Sequence, residues 1–182
     1  MKYSLLTIFL ILYLSIFANA QNSHIVRVDF LSPGITTEHK IRNNSTIATN
    51  ISLAPSVAFF SSGSEMSSYL SFNPTLFARY NYFLNFDKRN ARGANTDYNS
   101  GNYLFVGLNW GINAGLTIIS PNLNKGNVGN SYFSIPFGFG IQRSFAKRFY
   151  YNGFIGGNYS FETDNLYHWM GFKIGYTLFN KK

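Results

Sequence analysis

The sequence contains no cysteine, which excludes a disulfide framework, a cysteine-bound zinc and a thiol nucleophile. Charged side chains are scarce too: they make up 12% of the 182 residues, whereas a water-exposed surface normally carries about 25–35%. Acidic residues are fewer than basic residues, and the formal net charge is +8. So few charges indicate that much of the outer surface does not face water.

Long apolar runs are absent after the N-terminus. Lys2 precedes an apolar stretch from Leu5 to Phe17, and Ala18-Asn19-Ala20 then has the pattern of a signal-peptide cleavage site. This stretch is short for a transmembrane helix, which needs about 20 residues. We therefore expect residues 1–20 to be a signal peptide for the general secretory route and residues 21–182 to form one exported domain. Export argues against binding to nucleic acid, although the basic composition would allow it.

The rest of the chain alternates between two kinds of side chain with a period of two, which predicts β-strands. Within residues 104–118 every even position is apolar, whereas the odd positions are mostly glycine and asparagine. Residues 133–141, 149–161 and 166–178 repeat this pattern. Because the second face is small and uncharged, it would make a poor water-facing shell. We therefore expect the apolar face to meet lipid and the small polar face to fill the interior.

Strands that cross a bilayer must form a closed barrel, because an open edge leaves backbone groups without hydrogen-bond partners. The predicted fold is all-β, an eight-stranded antiparallel up-and-down transmembrane β-barrel with a polar interior filled by side chains. The predicted strands cover residues 24–32, 34–42, 45–60, 68–86, 101–119, 130–143, 148–161 and 166–179. Ser32-Pro33-Gly34 is either a hairpin turn or a kink in one long strand. If both termini are periplasmic, residues 87–100 fall on the periplasmic side, and the loops 61–67, 120–130 and 162–165 lie outside the cell.

The alternation places a set of charged residues inside the barrel. They are Arg27, Asp29, Glu38, Lys40, Arg42, Arg79 and Lys173. Buried charges must pair or be solvated, so we expect Asp29 and Glu38 to be shared among Arg27, Lys40, Arg79 and Lys173. The network is either a plug that closes the barrel or the gate of a narrow pore. Barrel size favours the plug, since eight strands enclose just enough room for side chains.

Aromatic residues cluster near the predicted strand ends, where amphipathic rings suit the boundary between lipid and water. The candidate girdle residues are Tyr69, Tyr82, Tyr103, Tyr132, Tyr150, Tyr151, Tyr167 and Trp169. The last strand ends at Tyr176-Thr177-Leu178-Phe179. Tyr176 and Phe179 are candidates for the signal that the barrel-insertion machinery reads during assembly.

Three histidines, His24, His39 and His168, raise the alternative of an enzyme that modifies lipid A. A nucleophile and its base must share one face within hydrogen-bond reach, and no serine lies two residues from His168. The sequence therefore predicts no catalytic residues, no cofactor and no metal. The basic stretch 87–92 is interpreted as a solvated turn, with contact to peptidoglycan or anionic lipid as the alternative.

Two segments carry a family resemblance: Phe30-Leu31-Ser32-Pro33-Gly34-Ile35, and Arg79-Tyr80-Asn81-Tyr82 leading to Lys88-Arg89-Asn90-Ala91-Arg92. With them the chain resembles small Gram-negative outer-membrane barrels of the OmpX and OmpA transmembrane-domain type, and more closely a Bacteroidota family of such barrels that has no established activity. The resemblance implies a non-enzymatic barrel with a structural or surface-interaction role. Its expected partners are outer-membrane lipids, lipopolysaccharide and a surface ligand of unspecified chemistry.

Overall fold

The computed structural model describes residues 24–62, 65–112, 116–119 and 131–181. The predicted signal peptide and the predicted loop 120–130 lie outside these residues. The strands are β1 His24–Asp29, β2 Gly34–Arg42, β3 Ser45–Ser62, β4 Glu65–Phe83, β5 Gly101–Ile112, β6 Leu116–Ile119, β7 Ser131–Phe145, β8 Phe149–Ser160 and β9 Asn165–Lys181. A short helix α1, Phe86–Ala91, and a 3-10 helix, Asp97–Asn99, lie between β4 and β5.

Every strand pairs antiparallel with its neighbours, and the pairing closes on itself. β1 pairs with β2 on one side and with β9 on the other. β5 and β6 both pair with β4, so they share one place in the ring. The result is a closed ring of eight antiparallel, up-and-down strands, which confirms the predicted all-β architecture, strand number and topology. The described residues contain no helix that is long and apolar enough to cross a membrane.

The segment between β1 and β2 is a hairpin turn, which decides between the two interpretations of the Ser-Pro-Gly sequence. Residues 30–33 form a turn, and Asp29 is directly opposite Gly34. The turn is held by neighbours on both sides, since Phe30 N donates to the Ile174 carbonyl at 2.8 Å and Leu53 N donates to the Pro33 carbonyl at 2.9 Å. Residues 24–42 are therefore two strands.

The apolar side chains face outward, as the alternation predicts. Along β5 the odd residues are buried, whereas the even residues from Leu104 to Trp110 are exposed. The outer faces of other strands carry further exposed apolar residues, among them Ile51, Leu76, Phe137, Ile155, Met170 and Phe172. Polar residues make up most of the buried set, including Arg27, Asp29, Asn50, Gln142 and Asn152. The ring is therefore inverted relative to a soluble protein, with a polar interior inside an apolar exterior.

Large aromatic rings share the interior with these polar groups, because glycines on adjacent strands leave room for them. A side chain on Gly140 would overlap the ring of Tyr103, one on Gly111 the ring of Tyr132, and one on Gly171 the ring of Phe154. A buried cluster of Phe83, Tyr103 and Phe105 continues this packing toward Phe154 and Trp169.

The interior packing corrects part of the predicted girdle. Tyr103 and Tyr150 are buried inside the ring, and Trp169 packs inside against Phe77, Phe105 and Phe154. Tyr132 covers Gly111 on the same inner face. These four rings do not face outward, so they do not form a boundary layer with lipid. These aromatic residues were assigned to the girdle because they lie near strand ends. Whether a ring points inward or outward depends instead on whether its position belongs to the inward-facing or the outward-facing set of its strand.

Candidate functional site: the polar interior

The first ion pair of the interior joins adjacent strands near one end of the ring. Arg27 on β1 donates from Nη1 to Oε2 of Glu38 on β2 at 2.5 Å, and each side chain is only 1% exposed. Glu38 accepts two further hydrogen bonds, from Thr46 Oγ1 at 2.7 Å and from Gln142 Nε2 at 3.3 Å. This carboxylate is therefore bound by residues of β1, β3 and β7, which ties opposite parts of the ring together.

The second carboxylate, Asp29, collects donors from four other strands. Thr36 Oγ1 donates at 2.8 Å, Asn50 Nδ2 at 3.0 Å and Lys173 Nζ at 3.3 Å, and the Tyr150 hydroxyl also donates. Buried carboxylates require such partners, because removing a charge from water without them is costly. Lys173 remains 16% exposed, whereas Asp29 is fully buried.

Arg79 and Lys40 were predicted to share the carboxylates of Asp29 and Glu38, but neither forms an ion pair with them. The Arg79 guanidinium lies over the rings of Phe77, Tyr103 and Phe105, at 5.8, 5.1 and 5.9 Å from their centroids. Lys40 lies over Phe86 at 5.6 Å, and Arg42 is exposed at the end of β2. Within the described part of the chain, the ion pairs are Arg27–Glu38 and Lys173–Asp29. Aromatic faces attract a cation, so these two cations are held by rings.

The connection between β4 and β5 contacts the interior at the end of the ring that also holds the described chain ends. The Tyr98 carbonyl accepts from Arg27 Nη2 at 2.6 Å and from Gln142 Nε2 at 3.2 Å. The Asn99 carbonyl accepts from the same Gln142 amide at 3.1 Å. Tyr98 and Asn99 adopt positive φ angles of 53° and 59°, which turn both carbonyls toward these donors. The segment predicted as a simple periplasmic loop therefore contributes to the interior network.

Neutral polar residues complete the network. The Tyr103 hydroxyl and the Asn152 amide exchange hydrogen bonds at 2.8–2.9 Å, and Asn152 Nδ2 also donates to Gln142 Oε1 at 3.0 Å. These neutral residues were not predicted as members of the interior network, whereas the charged ones were. The alternation could have identified Asn50, Gln142 and Asn152, since each lies at a position of its strand that belongs to the polar, inward-facing set.

Two of the three histidines form a pair. The Nδ1 atoms of His24 and His39 are 3.1 Å apart, and the ring centroids are 4.2 Å apart. His168 lies exposed on β9. Among the residues that the structure describes, no group of three histidine or acidic side chains is placed to hold a metal ion. The histidine pair packs at the end of the ring, where β1 begins.

The remaining predicted residues whose side chains the structure describes lie on the outer surface. Tyr82 and Tyr151 are exposed, and Tyr167 is exposed beside the 161–164 turn, where its hydroxyl donates to Thr163 at 3.0 Å. Phe179 is exposed, whereas Tyr176 packs edge-on against Phe149 with centroids 5.1 Å apart. The side chain of Tyr69 lies outside the described set.

No family profile, curated protein or solved structure matches the chain. The functional interpretation therefore depends on the geometry. An inner layer of ion pairs and amides cross-links the strands, and the outer surface is apolar.

Proposed function

We propose that the chain is an integral barrel protein of a Gram-negative outer membrane, of the OmpX-like, Bacteroidota type that its sequence resembles. The observation that carries the proposal is the apolar exterior. Water would not favour a surface on which large apolar side chains are exposed on strand after strand. A bilayer favours the same surface. Because the described strands pair into a closed ring, the ring has no open edge whose backbone groups would lack hydrogen-bond partners in lipid.

The height of the apolar exterior supports this proposal. Along β8 and the residue after it, exposed apolar side chains run from Phe149 through Ile155 to Phe161, with no charged residue between them on the outer face. At about 3.3 Å per residue on a strand tilted by about 45°, this separation corresponds to roughly 28 Å. A transmembrane barrel carries an apolar band of about 25 Å. The exterior is therefore tall enough to match a hydrocarbon core.

The interior supports a structural or surface-interaction role for the barrel. Ion pairs and side-chain hydrogen bonds connect β1, β2, β3, β7, β8 and β9 across the interior. Such cross-links suit a rigid support for the exposed turns more than a channel. Lipid and lipopolysaccharide would contact the outer face, and the insertion machinery would meet Tyr176 and Phe179 during assembly.

The two tryptophans of the chain provide the test. Trp110 is 43% exposed on the outer face of β5, whereas Trp169 packs against the ring of Phe154 inside, with centroids 4.4 Å apart. We would reconstitute the protein into vesicles of ordinary and of brominated phospholipid. Trp169→Phe retains the outer tryptophan, and we expect strong fluorescence quenching by the brominated chains. Trp110→Phe retains the inner tryptophan, and we expect little quenching.

Equal quenching of the two variants would contradict the proposed orientation. Failure of the protein to enter vesicles, with recovery as a detergent-free monomer, would contradict membrane insertion itself. Heat-modifiable gel migration of each variant is the control for folding, since it reports whether the ring has closed.

A narrow gated pore is the second candidate. The observation that favours it is the 16% exposure of Lys173, which makes one member of the ionic layer accessible to water. A pore would require the ion pairs to separate, so conductance distinguishes it from a closed support.

A further inference from the structure

Within the part of the chain that the structure describes, the interior network surrounds a small cavity of about 10 Å³. This is the size of one water molecule or one monatomic ion. Three of its lining residues are cations, Arg27, Arg79 and Lys173, and the others are neutral. Neither Asp29 nor Glu38 lines the cavity. Asp29 and Glu38 contact lining residues from behind, so the three cations and two carboxylates around the cavity leave one net positive charge.

The two carboxylates do not neutralise all the charge around the cavity. Glu38 is paired with Arg27, and Asp29 is paired with Lys173. Arg79 is the third cation, and its side chain is only 8% exposed. Its guanidinium is surrounded by aromatic faces, which offset the charge only in part. Among the described residues, Arg79 has no carboxylate within ion-pair distance, although Glu38 still attracts it electrostatically.

Two guanidinium donors around the cavity are also buried without a hydrogen-bond partner. They are Nη1 of Arg79 and Nε of Arg27. A buried charged donor that is left unsatisfied costs stability. A water molecule would satisfy the two N–H groups but would leave the charge. A small anion satisfies the donors and the charge together.

We propose that this cavity binds a monatomic, monovalent anion of the chloride class, with Arg79 as its principal donor and Arg27 as the second. A cavity of this volume favours a monatomic ion over sulfate, phosphate or a carboxylate, because each of those needs room for several heavy atoms. The bound anion completes the interior charge layer, and it stabilises the closed ring whether or not the ring lies in a membrane.

The test uses the folded full chain in detergent at constant ionic strength, with sodium chloride replaced stepwise by sodium gluconate. Binding to the native state alone raises stability with ligand concentration. Above saturation we expect the midpoint of thermal unfolding to rise by about 3–6 °C for each tenfold increase in chloride. Bromide should have the same effect and sulfate should not. A bromide-soaked crystal should show an anomalous peak in the cavity beside Arg79.

Arg79→Met should abolish the dependence on chloride, and Arg92→Met is the matched control because Arg92 is exposed next to α1. If Arg79→Met does not fold, the bromide peak in the unmodified protein decides. Equal unfolding midpoints in chloride and gluconate would overturn the proposal, and so would a cavity that contains only water in the bromide-soaked crystal. Dependence on sulfate as strong as on chloride would indicate general salt screening and would overturn it too.

Discussion

At the scale of single residues, two glycines allow β7 and β8 to approach each other. Gly138 and Gly156 are directly opposite, and a side chain on Gly156 would overlap the carbonyl oxygen of Phe137. Backbone atoms cannot move aside as a flexible side chain can. Gly156→Ala should therefore lower the free energy of unfolding by about 1–3 kcal/mol, the usual cost of overpacking. Urea denaturation in detergent measures the change.

Gly153 provides the matched control on the same strand. It lies on the outer face of β8, where an added side chain would meet only Phe172 Cδ2 at 3.7 Å. Gly153→Ala should leave the urea midpoint unchanged or raise it slightly, because alanine reduces the freedom of the unfolded chain. Equal destabilisation by the two substitutions would show that the inner face is not the crowded one.

The sequence predicts whether a side chain points inward or outward only when the two-residue alternation is applied to every position of the strand, including its ends. Trp110 lies outside as its even position requires, and Tyr103 lies inside with Phe105 at odd positions. The alternation along β5 therefore predicts correctly that Tyr103 points inward. The position of Arg79 among aromatic rings could not be predicted, because it depends on which side chains of β4 and β5 share one level of the ring.

At the scale of elements, pairing between the first and the last strand closes the ring. Val28 on β1 is directly opposite Tyr176 on β9, and directly opposite residues have Cβ atoms about 4.5–5.5 Å apart. The chain has no cysteine of its own, so an introduced pair gives an unambiguous product. The double variant Val28→Cys and Tyr176→Cys should form a disulfide on oxidation, seen as loss of free thiol and a shift in gel migration.

Val28→Cys combined with Ile174→Cys is the control, since those residues are displaced by two positions in the register. Diagonal neighbours are about 7–8 Å apart, which is too far for a disulfide without backbone movement. Equal disulfide yields from both pairs would show that β9 slides against β1. A high yield from the control pair alone would contradict the register.

The strands and the closed ring could be predicted because two-residue alternation is a property of the sequence itself. Strand ends were less accurate: β4 ends at Phe83 and β1 at Asp29, earlier than predicted. The role of residues 97–99 could not be predicted, because the atoms that bind Arg27 and Gln142 are backbone carbonyls. Helix α1 has six residues and no buried side chain, so it carries no periodic apolar signal.

At the scale of the whole molecule, a filled interior predicts a closed barrel. The described interior contains a cavity for a single small molecule or ion, and residues 98 and 99 cover the end beside Arg27. We expect the unmodified protein to give negligible conductance in planar bilayers. Steady single-channel currents from the unmodified protein would favour the pore over the structural role.

Opening the barrel should require the loss of a residue that several strands share. Glu38→Ala removes the acceptor of Arg27, Thr46 and Gln142. It leaves a buried guanidinium whose described partners are then a backbone carbonyl and the face of the Tyr150 ring. Breaking a buried pair in this way costs about 3–5 kcal/mol, and water entering to solvate Arg27 would offset part of it. We therefore expect Glu38→Ala to lower stability and to raise conductance above the level of the unmodified protein. Glu162→Ala, in an exposed turn, should change neither, so equal behaviour of both variants would contradict a closing role for the ionic layer.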